Sequence, residues 1–250
     1  MKYFREYSYN VILLLLSVFL ILVSVSYSDA ADTCVECHKD IKFLNQNRVL
    51  FDYYNNWINS THEIEGVKCM DCHGGDPTKR DKKSAHKNNF SSLTVTDRFF
   101  FKKIPERCGK CHEAVLKKFT ESKHYKVLLK KGTGPHCSTC HGSMNADVYY
   151  TSVISRSCEN CHNAYTKNLP SVAGEADKIL HRINVAHLYK RWVLIDYHFT
   201  EPAKVEEILA LYNNVAESWH TFDFEKLDQK SQDLLNKIKS LVSRGPLAKK

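Results

Sequence analysis

Cys34-Val35-Glu36-Cys37-His38 decides how this chain is read, because the phrase returns four more times. The copies are Cys69-Met70-Asp71-Cys72-His73, Cys108-Gly109-Lys110-Cys111-His112, Cys137-Ser138-Thr139-Cys140-His141 and Cys158-Glu159-Asn160-Cys161-His162. Together they use all ten cysteines. This spacing is that of c-type haem attachment. Two thiols add to the vinyl groups of a haem, and the adjoining His reaches back to the iron from one face. Zinc ribbons also use Cys-x-x-Cys half-sites, but they do not require a His after each pair, and five half-sites cannot pair off. Disulfide frameworks belong to short secreted chains, and redox Cys-x-x-Cys motifs normally come singly in a β-α-β setting. The phrase therefore predicts five covalently bound haem c groups.

The cofactor changes how the charge is read. The chain of 250 residues has a formal net charge of +8, which alone would suggest nucleic acid as a partner. Each haem carries two propionates, so five add about ten negative charges and bring the loaded protein to about −2. Much of the Lys/Arg excess is then propionate neutralisation, and no nucleic-acid partner is expected.

Residues 1–30 read as an export signal. Lys2 and Arg5 precede an apolar run from Val11 to Val25, and Ser28-Asp29-Ala30 supplies small residues for a signal peptidase. Cleavage after Ala30 would start the mature chain three residues before Cys34. The alternative is a retained membrane anchor, since Val11 to Tyr27 approaches spanning length. Either way the haem part is expected outside the cytoplasm, in the periplasm or at the cell surface.

Residues 31–165 form the predicted pentahaem domain. Cys34 to His162 spans 129 residues for five haems, too few for an ordinary protein core. The expected fold is mainly α with extensive loops, with the porphyrins as the core. A second repeat runs through it. Trp57-Ile58-Asn59-Ser60-Thr61-His62 and Phe119-Thr120-Glu121-Ser122-Lys123-His124 share an aromatic-x-x-Ser-x-His pattern, each ahead of a haem motif that continues into Gly. Ser84-Ala85-His86 repeats the Ser-x-His without the aromatic. Duplication of a two-haem unit, with the fifth motif added, accounts for this. Between the copies, Lys79, Arg80, Lys82, Lys83 and Lys87 crowd one loop, read either as a solvated stretch contacting propionates or as a docking patch for an acidic redox partner.

Residues 166–250 lack cysteine and take on helical periodicity. Leu180, Ile183, His187 and Leu194 share a face between Glu175 and about Tyr197. A second helix capped by Thr200, with Pro202 in its first turn, carries Val205, Ile208, Leu209, Tyr212, Val215 and Trp219. A third runs from about Phe224 through Leu227, Leu234, Ile238 and Leu241 to a stop at Gly245-Pro246. These predict a helical C-terminal subdomain.

The other axial position of each iron sets the chemistry, and Met raises the potential relative to His. The chain has three Met: Met1 leaves with the signal, Met70 is inside a motif and Met144 just follows one. Of thirteen His, eight lie outside the motifs, enough for five bis-His haems. With His38, His73, His112, His141 and His162 as proximal ligands, the distal candidates are His62, His86 and His124, supported by their repeated pattern. Behind them come His136, which abuts Cys137, His187 on an apolar helix face, and His181, rotated about 120° from it. His198 and His220, which close two helices, follow these.

The five motifs, the Ser-x-His ahead of Cys-x-x-Cys-His-Gly and the closing helices resemble multihaem cytochromes c. They are most similar to the family that includes nitrifier tetrahaem cytochromes c, hydroxylamine oxidoreductase and the pentahaem electron donors of ammonia-forming nitrite reductase. The resemblance implies electron transfer to or from a respiratory redox partner, either a redox protein or a membrane quinol-oxidising complex. Ammonia-forming nitrite reductases typically mark their catalytic haem with Cys-x-x-Cys-Lys, which does not occur here. An electron carrier with no catalytic residue is the leading expectation. The alternatives are a small reductase or oxidase of nitrogen or sulfur compounds at a five-coordinate haem, and a homo-oligomer or conductive filament subunit. Intact mass of the purified protein should exceed that of the mature chain by five haem units; a lower increment would show that a motif goes unused.

Overall fold

The computed structural model describes residues 32–87, 98–146, 148, 150–198 and 201–243. The predicted signal or anchor, the Thr200 cap and the Gly245-Pro246 stop lie outside the described residues. Among those described, every regular element is helical and no helix is long and apolar enough to cross a membrane. The fold is mainly α, as expected.

A Cys-x-x-Cys-His phrase can present two thiols and an imidazole together only if its backbone turns, because residues three and four apart share a helix face. Each copy does turn. The first lies in α1 (Thr33–His38), where the Asp32 carboxylate accepts the N–H groups of Cys34 and Val35. Between it and the second copy run α2 (Lys42–Gln46), α3 (Arg48–Ile58) and α4 (Thr61–Ile64). The second copy is α5 (Cys69–His73), with Asp71 accepting the Lys68 N–H at 2.7 Å. The short α6 (Lys82–Ala85) follows. The third copy begins at the end of α7 (Arg98–Gly109), and α8 (Glu113–Glu121) and α9 (Lys123–Lys131) lead to the fourth, α10 (Cys137–His141). The fifth forms the 3₁₀ turn Cys158–Asn160 after α11 (Thr151–Ser157).

The apolar stripes of the C-terminal region become α12 (Val172–Tyr197), α13 (Pro202–Ser218) and α14 (Phe224–Val242). Pro202 stands at the start of α13, where its missing N–H leaves no bond unmade. Asp223 caps α14 by accepting the Lys226 N–H. α12 packs against both of the others, burying Ile179, Ile183 and Val193 with Val205, Ile208, Leu234 and Ile238. Polar ties bind the same helices: Arg182 donates to the Asp228 carboxylate at 2.7 Å, and the Tyr197 hydroxyl to the Leu241 carbonyl at 3.1 Å.

Buried apolar side chains are distributed unevenly. Among the described residues fifteen belong to 176–238, and five, Trp57, Pro105, Phe119, Leu128 and Ile154, precede them. Ile154, on α11, joins the C-terminal cluster, which also takes in Cys140 and Cys158 at its margin. The helical subdomain thus packs directly onto the last two haem motifs. Leu234 is fully buried in this cluster. Leu234→Ala should cost about 2–5 kcal/mol, read as a lowered thermal midpoint by far-ultraviolet circular dichroism.

Candidate haem-binding site

Four motif histidines each face a histidine from outside the motifs. The ring centres are 6.1 Å apart for His38 and His86, 6.1 Å for His62 and His112, 6.0 Å for His124 and His162, and 6.2 Å for His141 and His220. Two imidazoles that bind one metal ion, each through a nitrogen about 2 Å from it, have ring centres about 6 Å apart. Those separations match two imidazoles on one shared iron. The residues therefore fit haem, with one cysteine pair beside each of these four motif His and a second imidazole across from it.

The chain aims the outer imidazoles in two ways. His62 and His124 sit in the first turn of a helix whose cap is the serine two residues earlier. Ser60 Oγ accepts the Glu63 N–H at 3.2 Å and donates to the Trp57 carbonyl at 2.7 Å. Ser122 Oγ accepts the Tyr125 N–H at 3.0 Å. Both serines are buried, as are Trp57 and Phe119 three residues before them. The aromatic-x-x-Ser-x-His repeat is thus a structural unit: an aromatic anchors one helix, a serine starts the next and a histidine projects from it.

His86 and His220 instead follow helix ends. His86 Nδ1 donates to the Lys82 carbonyl at 2.7 Å, and His220 Nδ1 to the Glu217 carbonyl at 3.2 Å. Both carbonyls lie in a last turn, where each also accepts the backbone N–H of a cap residue. Using one in this way fixes the ring and leaves Nε2 as the unprotonated nitrogen, the state that ligates a metal. The motif residue His162 does the same with the Asn168 carbonyl at 3.0 Å.

His220 comes from outside the set of stronger candidates, yet its signal was available. Ser218-Trp219-His220 is a fourth Ser-x-His. All four histidines that face a motif histidine stand in that pattern, although the serine caps a helix in only two of them. The lower-ranked candidates are engaged elsewhere. His136 starts α10 and lies flat on Phe101, with ring centres 5.0 Å apart and Nδ1 3.0 Å from Ser138 Oγ. His181 is exposed on α12. The apolar face that carries His187 packs on α13, so His187 Nδ1 meets the Tyr212 hydroxyl at 3.1 Å. His198 is exposed at the end of α12.

Electrostatics favour neutral ligands. Burial, then the facing His141, pushes His220 down to about 4. His38, His62 and His124 are lowered for the same two reasons, burial and the facing imidazole. Burial, then Arg107 and His38, lowers His73. Burial pushes the Cys34 thiol up to about 12 and Cys69 and Cys158 to about 11, so these groups are thiols at neutral pH.

The cysteines also report which motifs are neighbours. Cys34 lies within electrostatic reach of Cys69, and Cys72 of Cys108 and Cys111. Cys137 is hydrogen-bonded to Cys108, a contact that holds Cys108 down at about 7 and pushes Cys137 up. Cys140 lies beside Cys158 and Cys161. Consecutive motifs in sequence are neighbours in space.

The position of His86 depends on a tight return of the chain. Gly75 has φ +91°, and a Cβ there would lie 2.6 Å from the Ala85 carbonyl oxygen, next to His86. Gly75→Ala should therefore displace His86 and convert one six-coordinate low-spin iron to high spin. Electron paramagnetic resonance of the holoprotein would register this as loss of one low-spin signal, with the covalent haem count unchanged.

Residues 94–167, which hold the third, fourth and fifth motifs, match the family described as cytochrome c7 and related cytochrome c. Comparison with curated proteins and with solved structures returned no match. The family match supports a multihaem electron-transfer cytochrome with covalently bound haem c.

Proposed function

We propose that this protein is an exported carrier that passes single electrons through five low-potential haems, arranged in the order of their motifs, to or from a respiratory redox partner. The observation that carries this reading is the set of four facing His pairs at 6.0–6.2 Å. Bound haem supplies one-electron chemistry by alternating between ferric and ferrous iron. The chain aims each imidazole and sets the spacing between successive groups. In this reading His38 and His86, His112 and His62, His141 and His220, and His162 and His124 are axial pairs, and His73 is the proximal ligand of the remaining haem. Two imidazoles on an iron leave no position for a substrate, and His in place of Met keeps the potential low.

The neighbouring cysteines support a linear path from the first motif to the fifth. Export rests on the N-terminal apolar run, and c7-type proteins are extracytoplasmic in general. Kinship with the nitrifier tetrahaem cytochromes and pentahaem donors rests on the Ser-x-His that precedes Cys-x-x-Cys-His-Gly.

Reduced holoprotein mixed with a one-electron acceptor should reoxidise in one connected phase involving all five haems. Haems that empty independently would defeat the proposed path. His220→Ala should open the iron at His141 and allow rapid carbon monoxide binding that adds one equivalent over the wild type. An unaltered carbon monoxide titration in that variant would remove His220 from the ligand set.

A further inference from the structure

We infer that the loop Asp76 to Lys87 is the docking surface for a small acidic redox protein, which exchanges electrons at the haem held between His38 and His86. The inference rests on the electron-carrier reading and adds the chemistry of the partner and its point of contact. The loop carries five basic and two acidic side chains. It is fastened to the first motif: the Thr33 hydroxyl donates to the carbonyls of Pro77 at 2.7 Å and Lys79 at 2.8 Å, and Arg80 pairs with Glu36 at 2.7 Å. His86 lies in this loop and is itself exposed.

Every acidic group on this face is already engaged. Asp32 caps α1, Glu36 holds Arg80, Asp76 accepts the N–H and hydroxyl of Thr78, and Asp81 accepts the Ser84 N–H. Those hydrogen bonds hold the Asp76 and Asp81 carboxyls below the usual carboxylate range. By contrast, Lys39, Lys79, Lys82, Lys83 and Lys87 are exposed and form no ion pair among the described residues. The result is a patch of net positive charge beside an exposed candidate axial histidine. Such a field raises the encounter rate with an acidic partner and orients it on the patch.

The loop is poorly suited to a lipid surface. Its nonpolar residues are Pro77 and Ala85, and it has no aromatic or long aliphatic side chain to insert. The first motif is also one end of the order traced by the cysteines. In the transfer itself, one electron leaves the partner's cofactor and one ferric iron becomes ferrous. The partner is oxidised by one electron, and no bond is made or broken.

The test compares the wild-type holoprotein with two variants, Lys79→Glu/Lys82→Glu/Lys83→Glu/Lys87→Glu and the same four positions changed to Gln. The probes are reduced flavodoxin, a small acidic flavoprotein, and photoreduced 5-deazariboflavin, a neutral small molecule. At low ionic strength the second-order rate with flavodoxin should fall at least about tenfold in the Glu variant and less in the Gln variant. Added salt should slow the wild type and barely affect the Gln variant. Rates with deazariboflavin should be equal in all three. Equal flavodoxin rates and salt slopes in all three proteins would overturn the inference. So would equal slowing with the neutral reductant, which would make the lysines propionate partners. Loss of binding to phosphatidylserine vesicles with flavodoxin rates intact would assign the patch to a lipid surface instead. If deazariboflavin reduced no haem even in the wild type, the electron-carrier reading itself would fail, separately from the docking surface.

Discussion

The constraint on which the structure depends is a gap of about 6 Å between paired imidazoles. A polypeptide rarely holds two ring nitrogens apart across a space it does not fill, because buried polar atoms without partners are costly. Among the described residues four imidazole pairs face each other at this separation, and His124 Nδ1 is buried without a hydrogen-bond partner. The arrangement makes physical sense with iron between the rings. Few apolar side chains are buried among the described residues before 169, which is the pattern expected where porphyrin faces supply that surface. Ile41, Ile64 and Tyr165 are among the exposed large apolar residues of this region.

The C-terminal helices solve a different problem. Three amphipathic helices bury an ordinary aliphatic core that could be assembled without a cofactor. Their link to the haem region is specific. Trp219 and Phe222 flank His220, and Phe222 stacks edge-on against both Phe119 and His124. One aromatic cluster therefore fastens the subdomain beside two of the His pairs, so the subdomain serves the haems as well as packing on itself.

Much of the site was legible in the sequence. The five motif histidines and ten cysteines could be read directly, because attachment needs covalent chemistry at fixed spacing. His62 and His124 were legible because a helix start needs a capping serine, and a buried aromatic upstream marks the same joint. His86 was found through a pattern that its local structure only partly shares, since Asp81 rather than Ser84 caps α6. His220 closes a helix, a position that usually exposes a residue to solvent, yet here it is buried and faces His141. An apolar helix face can pack on protein as readily as on a porphyrin, and His187 meets Tyr212 of α13.

The sequence by itself determined the cofactor, its covalent attachment, the helical class and the shortage of Met that points to His ligation. Each of these depends on residue type and local spacing, which no tertiary arrangement changes. Only the tertiary structure decided which histidine faces which motif, and that successive motifs lie side by side. Those pairings join residues up to 79 positions apart, from His141 to His220. Their geometry depends on helix ends, one glycine return at Gly75 and the packing of α12 to α14, none of which local spacing encodes.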